Sequence, residues 1–212
     1  VAASSDTLAD LLGGRRGAVD ATVPPLAFLL GWLLTDHHIG WGAGAAVAAA
    51  SALCAYRLVT GAKITAALGG LAAIIAAALV ALYTGRAEDF FLLRLLVNIA
   101  SGLAWTLSIL IRWPLLGVVV GAILGQKARW RRDPDLLRAY GRASWVWVFG
   151  QYGVRTLVFG ALWLSGNALA LGIAQVALSW PLVGVVVAAS AVVLRRSLPD
   201  DHPGLRHPRT PN

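Results

Sequence analysis

The sequence predicts an all-α integral membrane bundle of about six transmembrane helices. Three observations carry that reading. The 212 residues are 58% hydrophobic and only 13% charged, with a mean hydropathy of +0.71, whereas soluble domains carry about 25% charged residues. Apolar runs recur at lengths near the ~20 residues needed to cross a bilayer. The basic residues gather between or beside those runs, as the positive-inside rule describes.

Taken in order, SSDTLADLLGG predicts a short interfacial helix within residues 1–18, capped by Ser5 or Asp6 and stopped at Gly13-Gly14. The transmembrane domain is expected over 19–196, with crossings at 19–35, 41–59, 64–84, 89–111, 144–165 and 168–194. No cleavable signal peptide is expected, because no small-residue cleavage site follows Ala21 to Leu34. Six crossings put Arg15, Arg16, Arg57, Lys63, the Lys127–Arg142 cluster, Arg195 and Arg196 on one side, so both termini are expected in the cytoplasm. The same topology accounts for the formal charge of +8 without nucleic acid.

PLLGVVVGAILG, residues 114–125, is too short to cross and predicts a short interfacial or re-entrant helix. After it, WRRDPDLLRAYGRAS reads as a turn and an amphipathic helix opened by Asp133-Pro134. WPLLGVVV at 113–120 echoes WPLVGVVV at 180–187, a faint sign of a duplicated hairpin. The Pro-rich, polar residues 197–212 predict a disordered cytoplasmic tail. Cys54 is the single cysteine, so no intrachain disulfide forms.

Candidate site residues begin with a stripe. Arg94, Asn98, Ser101, Trp105, Ser108 and Arg112 recur at steps of 4, 3, 4, 3 and 4, which is one face of a helix. A polar stripe in a span faces protein, water or a bound molecule, because lipid offers it no partner. Two roles stay open for it: hydrogen-bonded helix packing, or the lining of a substrate cavity. Arg112 reads as a topogenic charge. Arg155 lies mid-span with Gln151 one turn before it, and a central arginine must be paired, hydrated or holding an anion. At the opposite rim stand Asp36, His37, His38, Arg86, Glu88 and Asp89. Glu88 and Asp89 read either as helix-capping carboxylates or, with Asp36, as proton donors or acceptors over the stripe. Adjacent histidines without a third ligand at suitable spacing predict no metal, and no cofactor motif is present.

Several stretches resemble a multi-pass actinobacterial family, domain of unknown function 3159. They are GGRRGAVDATVPPLAF (13–28), TGRAEDFFL (84–92), the run from Asn98 to SILIRWPLLG, WRRDPDLLRAYGRASWVW (130–147) and SWPLVG (179–184). The resemblance implies a bacterial inner-membrane location and no particular activity. Arg86, Glu88, Asp89, Asn98 and Arg155 agree with the family pattern, whereas TDHHIGW (35–41) and Arg94 depart from it.

The expected function is an integral membrane enzyme acting on an isoprenoid or other lipidic substrate in a buried cavity. Its concrete version is a metal-independent, proton-initiated terpenoid cyclase. Asp36, Glu88 or Asp89 would be the acid, Trp105 would stabilise the cation, and Arg94, Asn98, Ser101, Gln151 and Arg155 would complete the substrate site. A carrier or channel for a small anion or anionic lipid is the second expectation, and a non-catalytic envelope scaffold the third. Expected partners are the bilayer and a lipidic small molecule, without nucleic acid; a homodimer stays open.

Overall fold

The computed structural model describes residues 14–61, 63–126, 128–199, 202–205 and 208–209. The interfacial helix expected near the start falls on residues 1–13, outside the described residues. Among those described, the regular elements are all helical. They are α1 (Gly14–Leu33), α2 (Ile39–Val59), α3 (Ile64–Thr84), a 3-10 turn (Ala87–Phe91), α4 (Leu92–Leu110) and α5 (Leu115–Ile123). A second 3-10 turn (Arg129–Arg132), α6 (Pro134–Val146), a π-helical segment (Trp147–Gly153), α7 (Val154–Leu164), α8 (Ala168–Ala177) and α9 (Trp180–Ser197) follow.

Among the described residues, four helical stretches are long and apolar enough to cross a membrane: Ile39–Val59, Ile64–Thr84, Ala87–Leu110 and Trp180–Ser197. Thr22–Leu33 and Ala168–Ala177 are apolar but shorter. The expected sixth crossing, 168–194, is two helices here. Proline lacks an N–H and crowds the carbonyl four residues back, so Pro181 ends one helix and suits the first turn of the next. Over the expected fifth crossing, 144–165, the helix runs unbroken to Leu164 and includes the π-helical segment. Large side chains face outward along these helices: on α4, Leu103 is 66% and Leu107 58% exposed. An outward apolar face of this kind suits lipid.

The chain forms two compact units, residues 1–95 with 158–180 and residues 96–157 with 181–212. In the first, α1 and α2 form a hairpin whose turn places Asp36 (φ 49°) and His37 (φ 66°) in left-handed conformation. Small residues on α2, namely Gly42, Ala43, Ala46 and Ala50, form its buried face and let the helices approach closely. Phe28 stacks on Phe90 at 4.1 Å and meets Phe91 edge-on at 6.3 Å, fixing the 3-10 turn against α1. Gly85 (φ 70°) ends α3 as its N–H reaches the Ala81 carbonyl.

In the second unit, Trp130, Leu136, Ala139, Tyr140 and Ala143 are buried together with Leu116 and Leu194. Trp130 lies over Gly117, where a Cβ would stand 2.8 Å from its ring. Asp133 caps α6, accepting from the Asp135 and Leu136 N–H groups at 3.0 and 3.2 Å. The described residues of the segment 197–212 make specific bonds. His202 Nε2 lies 3.0 Å from Asp133 Oδ2, the Arg209 N–H donates to the same oxygen at 2.7 Å, and Gln126 Nε2 donates to the Leu205 carbonyl at 2.7 Å.

Candidate functional site

Each member of the polar stripe on α4 has its own local role. Arg94 points its guanidinium at Gln175 of α8. With the amide turned to present its oxygen, Arg94 Nε donates to it at 2.8 Å. The Asn98 amide nitrogen donates to the Tyr152 carbonyl at 3.0 Å and to Thr156 Oγ1 at 2.9 Å. Ser101 bonds back to the Val97 carbonyl at 2.7 Å. Trp105 stacks on Trp147, centroids 5.2 Å apart, with Tyr152 tilted at 6.0 Å. Ser108 accepts from the Leu115 N–H at 3.3 Å and so shapes the turn into α5. Arg112 (φ 55°) terminates the helix and is exposed. From Asn98 to Trp105 the stripe is a packing seam against the Trp147–Thr156 stretch. Gly102 lies within it, where a Cβ would stand 3.0 Å from Tyr152 Cβ. Replacing Asn98 with alanine orphans the Thr156 hydroxyl and a carbonyl, and should cost about 1–2 kcal/mol. Thermal unfolding in detergent measures that loss, while Ser101→Ala should leave stability unchanged.

The rim carboxylates belong to the first unit and are held there. Glu88 Oε1 accepts from Arg86 Nε at 2.8 Å. Asp89 is buried and its Oδ1 accepts from Trp163 Nε1 at 2.7 Å. Arg86 also lies over the Trp163 ring, 5.4 Å from its centroid. Asp36 stands apart, exposed in the α1–α2 turn, and His37 meets Trp32 edge-on at 4.4 Å. Among the described residues, no three His, Cys, Asp or Glu side chains converge as metal ligands would.

A different set of residues emerges on α6 and the π-helical segment. Seven buried side-chain atoms make no hydrogen bond among the described residues, and all lie in the second unit. They include Ser144 Oγ, Trp147 Nε1, Gln151 Oε1 and Ser190 Oγ. Native proteins pair nearly all such groups, so several together need an explanation. Gln151 was expected as a site residue. Ser144, Trp147 and Ser190 were not, although the 144, 147, 151, 155 spacing carried the signal. Arg155 is half-buried one turn beyond Gln151. At Gly153, within the π turn, a Cβ would stand 3.2 Å from the Val148 carbonyl, a tight contact.

The family described as protein of unknown function (DUF3159) matches residues 12–201, which is most of the chain. The chain belongs to the DUF3159 family. No curated protein and no solved structure matches this DUF3159 member. The family match includes the Arg86–Asp89 rim, the α4 seam and the whole π-helical segment.

Proposed function

We propose that this protein is a membrane protein that receives a lipidic, isoprenoid-like molecule among the helices of its second unit. The observation that carries the reading is the Trp105–Trp147 stack with Tyr152 beside it, within helices whose outer faces are apolar. Broad aromatic faces supply contact area for a prenyl chain and can stabilise a cation formed on it. An inner-membrane location with cytoplasmic termini suits the exposed Arg129, Arg131, Arg132, Arg138, Arg142, Arg195 and Arg196 of this unit. Proton-initiated cyclisation is the enzymatic version. Arg86 and Trp163 engage Glu88 and Asp89, which leaves Asp36 as the carboxylate to test for an acid role.

Photo-crosslinking of a diazirine-bearing prenol to the protein in nanodiscs tests the binding. Trp105→Ala with Trp147→Ala should lower labelling by about tenfold, and undiminished labelling would overturn the reading. Turnover of prenylated substrates unchanged in Asp36→Asn would exclude that acid. A scaffold is the second reading, and the Asn98–Thr156 seam favours it. It requires a cellular phenotype sensitive to Asn98 and Gly102 substitutions but not to the tryptophans.

A further inference from the structure

We infer that the π-helical segment receives the polar end of that molecule, and that this end is a neutral hydroxyl rather than a diphosphate or carboxylate. The inference rests on the lipid-binding reading above and specifies its head group.

The placement follows from three features. Ser144, Trp147 and Gln151 recur at steps of 3 and 4 along the continuous helical run from α6 into the π segment, so they share a face. Ser190 comes from α9. One turn before it, Val186 packs on Gly150, where a Cβ would stand 3.1 Å from Val186 Cγ2. One turn after it, Leu194 enters the cluster of Leu136, Ala139, Tyr140 and Ala143. Ser190 is therefore set against the stretch that carries Ser144 and Trp147. Within this group Ser144 is 0%, Gln151 6% and Ser190 4% exposed. Each carries a polar atom that makes no hydrogen bond among the described residues.

Outside this group Gln126 Oε1, Trp130 Nε1 and Tyr140 Oη also make no hydrogen bond among the described residues, whereas Asn98, Asp89 and Asp133 have partners at 3.2 Å or less. Orphaned groups gathered on one face, beside a π segment, are an arrangement that recurs at functional sites.

Chemistry selects the ligand. The Trp147 indole N–H only donates, the Gln151 carbonyl oxygen only accepts, and the serine hydroxyls do both. The complement of such a mixed set is a group that donates and accepts at once, which an alcohol does. A diphosphate or carboxylate only accepts, so Gln151 would have to turn its amide nitrogen toward it. Such an anion would draw on the cation Arg155, one turn beyond Gln151, rather than on the two serines. The prenyl chain then lies along the Trp105–Trp147 stack adjoining this face.

Binding of farnesol, farnesyl diphosphate and the hydrocarbon farnesene to the protein in nanodiscs tests the inference, with tryptophan fluorescence and native mass spectrometry as readouts. Farnesol should bind about tenfold more tightly than either of the others. Gln151→Leu and Ser190→Ala should each reduce farnesol to the level of farnesene, whereas Trp105→Ala should weaken all three probes. If the four polar groups serve a ligand, both site variants should melt, without ligand, no lower than the parent protein. Tightest binding of the diphosphate would overturn the inference and leave the lipid reading standing. So would an alcohol preference that survives both variants, or a clear fall in their melting temperature. Failure of all three probes to bind would remove the lipid reading itself, and the head-group assignment with it.

Discussion

Asp133→Ala should destabilise the second unit by about 3–5 kcal/mol, the range seen when one partner of a buried charged cluster is removed. The carboxylate is buried, caps α6 through Oδ1 and fastens the C-terminal segment through Oδ2. Alanine leaves the Asp135, Leu136 and Arg209 N–H groups and the His202 ring without their acceptor. Asp133→Asn keeps the shape and the cap acceptor, but turns an amide N–H toward two donors, so the tail should detach while α6 survives. Hydrogen exchange over 198–209 separates the two outcomes, and unchanged protection in both variants would contradict this account.

The pH dependence has a definite sign. Burial raises the Asp133 carboxyl, but hydrogen bonds from His202 and from the backbone of Arg209, Leu136 and Asp135 outweigh it and hold the group below its ordinary 3.8. A depressed carboxylate stabilises fully above its ordinary value, and that contribution disappears as pH falls through the folded one. Tail protection should therefore persist at pH 5 and collapse only in stronger acid. Tyr140 responds in the opposite direction. Burial first, and the Asp133 charge second, push its hydroxyl from 10.0 up to about 12. Its contribution is complete below 10.0 and is lost as pH rises toward about 12.

Gly42→Ala and Gly31→Ala should each cost about 1–3 kcal/mol by overpacking the α1–α2 hairpin. A Cβ at Gly42 would stand 2.8 Å from the Phe28 carbonyl oxygen. One at Gly31 would stand 2.8 Å from the Trp41 carbonyl and 2.9 Å from Ala45 Cβ. These neighbours are backbone and a methyl, so the helices themselves must separate. Gly44 is the control. It lies on the same helix facing open space, and Gly44→Ala should be neutral or slightly stabilising. Unfolding in bicelles with increasing SDS measures all three, and equal behaviour of Gly42→Ala and Gly44→Ala would refute the close crossing.

Particular residues show how far the sequence could be read. The span expected at 64–84 coincides with α3, and Asp133-Pro134 opens α6 as expected, because hydropathy and capping act within a few residues. The short helix expected in 114–125 forms as Leu115–Ile123, nine residues long. The break between α8 and α9 was written in Pro181 but hidden by the apolar residues around it. Arg94, Asn98 and Trp105 were legible as a polar face; their partners Gln175, Thr156 and Trp147 were not. Asn98 and Thr156 lie 58 residues apart, and no periodicity reports a contact across that distance.

By itself, then, the sequence determined the environment and the helices: an apolar composition, basic loops and periodic faces follow from the exclusion of polar groups from lipid. Tertiary structure alone decided which polar groups are spent on the fold. Hydrogen bonds are directional and short, so only the placed helices could pair Asp89 with Trp163 and commit Asn98 to the Trp147–Thr156 stretch. The same placement left Ser144 Oγ, Trp147 Nε1, Gln151 Oε1 and Ser190 Oγ buried without a hydrogen bond among the described residues.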